Sequence, residues 1–173
     1  MRDSEYQQWK LDLKGSSARL VIFQNLGRQE PIAHDMRRFE EMEHTADMGI
    51  RAYGSDLAEL LESAAAGMFS LIGQATFRPE DVRALEIRID SRGAEELLHL
   101  WLRRLLREFN VTGFFPIGWV IQATPTGIRS TIRGGIFDPE RHEFRGEIKG
   151  VTLHGLTVAR GDGDWRAEII FDV

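Results

Sequence analysis

The chain has 173 residues, 42% of them hydrophobic and 28% charged, which suits one globular domain able to bury a core without staples. It has no cysteine, so disulfides, zinc–thiolate centres and thiol nucleophiles are excluded, and a reducing cytoplasm is the expected location. The formal net charge of −5 offers no general pull toward a phosphate backbone, so DNA is not an expected partner. No apolar run approaches the roughly 20 residues a bilayer span needs, and the opening MRDSEYQQWK has no apolar core of a secretory signal, so no membrane association is expected.

Residues 1–36 read as an N-terminal extension, poorly ordered or carrying one short strand around Leu20-Val21-Ile22-Phe23. The compact domain is expected over 37–173. Alternation predicts strands over 38–43 and from Gly49 to Gly54. Asp56-Leu57-Ala58-Glu59 is a capping-box pattern, and Leu57, Leu60, Leu61, Ala64, Ala65, Met68, Leu71 and Ile72 recur at helical spacing up to Gly73. Leu85, Ile87 and Ile89 alternate with Glu86, Arg88 and Asp90 in a half-buried strand. A second helix is predicted from Ala94 to Phe109, with Leu97, Leu98, Trp101, Leu102, Leu105 and Leu106 on its apolar face and Arg103, Arg104 and Arg107 opposite.

The last third is rich in β-branched and aromatic residues. Strands are predicted at Phe114–Ala123, Gly127–Arg133, Ile148–Ala159 and Trp165–Val173, separated by Gly/Pro/Asp turns. Two long helices among many strands imply an α+β fold: a two-layer mixed β-sheet with both helices on one face.

The chemistry concentrates at His44-Thr45-Ala46-Asp47 and at the Asp172-Val173 end. In the last strand Trp165, Ala167, Ile169, Phe171 and Val173 share one side, which leaves Asp172 on the other. Asp47, Asp172 and the Val173 carboxylate would repel one another unless a cation, or bound protons, neutralised them. Oxygen ligands of this kind suit calcium or magnesium. His44, His142 and His154 are further polar positions, and Lys149 lies on the opposite strand side from His154. Their spacing matches no zinc-hydrolase motif, and no P-loop, Rossmann or G-x-S-x-G pattern is present. A structural histidine and a solvated arginine face are the commoner outcomes for such residues.

The blocks Phe39–Ile50 containing His44-Thr45-Ala46-Asp47, Glu147-Ile148-Lys149-Gly150-Val151-Thr152-Leu153-His154, and the closing Ala167–Val173 together resemble the archease family, in order over about 37–173. The resemblance implies a small SHS2-like α/β module that is not itself an enzyme. It implies a protein that assists the tRNA-splicing RNA ligase, which uses GTP to join ends bearing a 3′-phosphate or 2′,3′-cyclic phosphate. It implies metal binding through Asp47, Asp172 and Val173, with His44, Lys149 and His154 as neighbouring candidates for partner contact or ligand support. RNA contact is then expected to be indirect or weak. Two positions depart from the family pattern: Gly135 stands where relatives often have glutamate, and Gly150 where alanine is more usual. The competing expectations are a stand-alone metal-dependent phosphoesterase or nuclease, with Glu41, Glu43 or Glu147 as an added ligand, and a chaperone-like interaction module.

Overall fold

The computed structural model describes residues 21–22, 38–43, 48–124, 126–161 and 163–173. Among the described residues the elements, in chain order, are β1 (Val21–Ile22), β2 (Phe39–Glu43), β3 (Met48–Gly54), α1 (Leu57–Ile72), β4 (Gly73–Gln74), β5 (Arg83–Asp90), α2 (Ala94–Thr112), β6 (Phe114–Thr124), β7 (Gly127–Ile136), β8 (Glu143–Phe144), β9 (Gly150–Val151), β10 (Thr157–Arg160) and β11 (Trp165–Asp172), with a 3₁₀ turn at Pro79–Asp81.

The fold is α+β, with its strands divided between sheets. One sheet has the order β1-β6-β7-β5 and another β10-β11-β3-β2, with β9 added at the far end of β11. A two-residue ribbon pairs β4 with β8. The sequence expectation was a mixed sheet, yet every ladder among the described residues is antiparallel. Local alternation shows which side of a strand is buried; it carries no signal for which strands become neighbours.

Helix α1 starts as its sequence dictates. The Asp56 carboxylate accepts the Glu59 N–H at 2.8 Å, and the Glu59 carboxylate reaches back to the Ser55 N–H at 2.7 Å, one residue earlier than an ideal capping box. Helix α2 runs three residues past the expected Phe109 and ends at Gly113, whose left-handed backbone lets its N–H bond the Phe109 carbonyl. Both helices touch strands of both large sheets. The core is therefore continuous: Ile50, Ala167 and Phe171 from one sheet and Trp119, Ile128 and Ile132 from the other enclose the Leu60/Leu61/Met68 and Leu98/Trp101/Leu102 stripes. The fully buried Trp101 satisfies its indole N–H on the Leu61 carbonyl at 3.0 Å, stitching the helices together.

One expected strand is broken. Ile148–Ala159 yields β9 and β10 with a turn between them. Gly155 takes a left-handed φ of 70°, and the Leu156 N–H returns to the Leu153 carbonyl. A run rich in Val, Thr and Leu reads as strand, but the glycine reverses the chain and swings Leu156 inward.

Candidate functional site

The β3–β11 ladder builds the site's floor. Its last pair is Met48 opposite Phe171. On the other side of β11, Phe171 pairs with Val151 and Asp172 with Gly150. Apolar alternation puts Ala167, Ile169 and Phe171 fully inside, and that fixes Asp172 outward and exposed. The segment before β9 ties this end down: the Lys149 N–H donates to the Asp172 carbonyl at 2.8 Å and the Lys149 ammonium to the Val173 main-chain oxygen at 2.9 Å. Lys149 is thus in contact with the Asp172–Val173 end. Gly150 leaves room for the methyl group of an alanine, which would meet the Asp172 Cβ at 4.0 Å.

His44 and Asp47 lie outside the described residues. Among the described residues no three His, Asp or Glu side chains converge as a metal site. The strand expected over Ile148–Ala159 does not extend to His154. His154 sits exposed in the turn after β9, its N–H on the Thr152 hydroxyl at 2.9 Å. Glu41 and Glu147 are exposed. His142 has a structural role, with both ring nitrogens engaged. Nδ1 accepts the Asp138 N–H at 2.9 Å and Nε2 faces the Thr76 carbonyl at 3.1 Å, with Phe77 and Phe137 packed against the ring.

Two features escaped sequence reasoning. His99, on the flank of α2, bonds the Val151 carbonyl at 3.1 Å and so fixes the helix to the strand beside Asp172. Along the outer face of the same sheet, Glu168 accepts from Arg166 and from Arg51 (Nε at 3.0 Å), and these bonds hold its carboxyl below the usual range. Neither residue lies on an apolar stripe, so hydrophobic periodicity carries no signal for them. Gly135, where a glutamate was noted as the commoner residue, is pressed against Phe77: a Cβ there would stand 2.4 Å from the ring.

An α+β body with a tethered acidic edge on its five-stranded sheet is the class these observations define. The archease protein family model matches residues 39–173, and the chain belongs to that family. It is similar to protein archease of Thermococcus kodakarensis, 33% identical over 144 residues that cover 80% of this chain and all of the relative. It is similar also to protein archease of Methanopyrus kandleri, 34% identical over 142 residues, covering 78% and 99%. Among solved structures it resembles a Methanobacterium thermoautotrophicum protein at 32% identity and a TM-score of 0.60, covering 80% of this chain and 100% of that one. The fold is shared with a Thermotoga maritima archease, described as a possible chaperone, at 21% identity and a TM-score of 0.57, covering 82% and 100%.

Proposed function

We propose that the protein is an accessory activator of the RNA ligase that joins 3′-phosphate or 2′,3′-cyclic-phosphate ends in tRNA splicing, acting in the cytoplasm and promoting GTP-dependent guanylylation and repeated turnover. In this reading Asp47, Asp172 and Val173 form a carboxylate cluster that holds a calcium or magnesium ion and is presented to the ligase. The chain carries no nucleotide motif or nucleophile constellation of its own, so the chemistry belongs to the partner.

The observation that carries this reading is the Met48–Phe171 pair. Met48 is the covalent neighbour of Asp47, and Phe171 of Asp172. Each aspartate is thus the next residue in the chain after or before a pair that faces across the end of this ladder, which supports the reading. The donors fit a hard cation, being oxygens only, and the Asp172 carboxylate is exposed and free of partners among the described residues. A bound cation would supply the positive charge that lets the carboxylates stand together. Lys149 supplies part of that charge at Val173 and holds the end in place.

The test is a multiple-turnover ligation assay with purified ligase, GTP and excess RNA ends. Wild-type protein should raise turnover, and Asp47→Ala or Asp172→Ala should lower that stimulation at least tenfold while circular dichroism stays unchanged. Full stimulation by Asp47→Ala would overturn the proposal. Hydrolysis of RNA by the protein with magnesium, in the absence of ligase, would replace it with the nuclease reading.

A further inference from the structure

We propose that the outer face of α2, centred on Arg103 and Arg107, is a contact surface for the phosphate backbone of RNA. This deepens the ligase-activator reading, on which it rests, by giving the protein a direct hold on the RNA in the assembly.

The buried stripe of α2 fixes the geometry. With Leu97, Leu98, Trp101, Leu102, Leu105 and Leu106 inside, Arg103 and Arg107 point outward one turn apart, and both are exposed. Cations at this spacing repel each other, so the pair is not there to stabilise the helix. The chain has 27 acidic residues against 22 basic ones, more than enough carboxylates to pair them. Arg104 does pair, with Glu108 at 2.8 Å. Among the described residues Arg103 and Arg107 have no partner.

Position adds a second argument. One turn before Arg103, His99 is bonded to the Val151 carbonyl, and Val151 pairs with Phe171 beside Asp172. The face from His99 to Arg107 thus begins at the acidic edge and runs about 12 Å away from it. A strand lying on it would have one end at the carboxylates.

The composition of the face selects the partner class. A protein interface wants a central apolar or aromatic anchor. Between Glu96 and Asn110 the apolar residues that are not fully buried, Leu100 and Phe109, pack against the core, and the exposed Val111 lies a turn beyond Arg107, so the arginines have no apolar anchor between them. Phosphate contacts need no such anchor: planar guanidinium groups bind phosphate oxygens in pairs, whatever the base sequence. With two or three such contacts, and Glu96 and Glu108 at the margins, binding is weak and strongly dependent on salt.

Fluorescence anisotropy of full-length protein with a labelled RNA stem-loop, without ligase, tests this across a salt series. Wild type should bind at low salt, and Arg103→Gln/Arg107→Gln should bind at least fivefold more weakly. The log–log salt slope should fall by about 2, as expected for two lost phosphate contacts. Arg103→Lys/Arg107→Lys should keep most of the slope, and because binding is read without ligase or GTP the result is readable even if the activator reading fails. No RNA binding by wild type, or an unchanged salt slope in the double variant, would overturn the proposal. So would loss of direct ligase binding by that variant in the absence of RNA, which would mark an acidic protein as the occupant.

Discussion

Glu168 takes hydrogen bonds from Arg166 first and Arg51 second, and a folded-state carboxyl held low in this way makes stability depend on pH. The pair contribution is fully present above the ordinary value of 4.5 and is lost as pH falls through the depressed folded value. Its side chain is about a third exposed, so screening keeps the effect near 0.5–1 kcal/mol. Glu168→Gln should therefore lower the urea midpoint at pH 7, with the gap from wild type closing toward pH 3; a gap that stayed constant with pH would refute the assignment. Gly135 makes a different point at this scale. Because the Phe77 ring occupies the direction a side chain would take, a glutamate there demands that Phe77 move first. Gly135→Glu is therefore coupled to Phe77, a dependence visible only when 77 and 135 are seen in contact.

At the scale of elements, α1 approaches β2 and β3 closely at Gly67. A Cβ there would meet the Ile50 Cδ1 at 2.7 Å and the Phe39 ring at 3.1 Å. Alanine is the better helix former by about 1 kcal/mol, yet overpacking against two half-immobilised side chains should win. Gly67→Ala should cost about 1–2 kcal/mol in chemical denaturation, and Phe39→Leu should recover part of it. The elements that were legible in the sequence share one property: local chemistry alone specifies them. Asp56 and Glu59 announce the start of α1, and the Trp165-to-Phe171 alternation announces both β11 and the outward Asp172. What was not legible depends on partners distant in sequence. The split of Ile148–Ala159 needed the buried seat of Leu156, the tie of His99 needed Val151, and the division into two antiparallel sheets needed strand neighbours that no local pattern encodes. The candidate site follows the same rule: Asp172 was placed by alternation, and the grip of Lys149 on Val173 was not.

At the scale of the whole molecule, β11 joins everything. It pairs with β10 on one side and β9 at its end, with β3 along its other edge, and it lays Phe171 into the shared core. Phe171→Ala should cost about 3–5 kcal/mol and raise amide exchange in β9 and β3 together, measured by hydrogen–deuterium exchange; loosening confined to β9 would show that the two ladders are independent. The Arg51–Glu168 contact, within the same ladder, spans 117 residues of sequence. During synthesis the chain emerges amino-end first. The long edge of β3 must then wait, unpaired and prone to capture by other strands, until β11 has left the ribosome. Nascent copies are therefore most vulnerable between the emergence of β3 and that of β11, and slowing the ribosome over that interval should lower the soluble yield more than slowing it before β3.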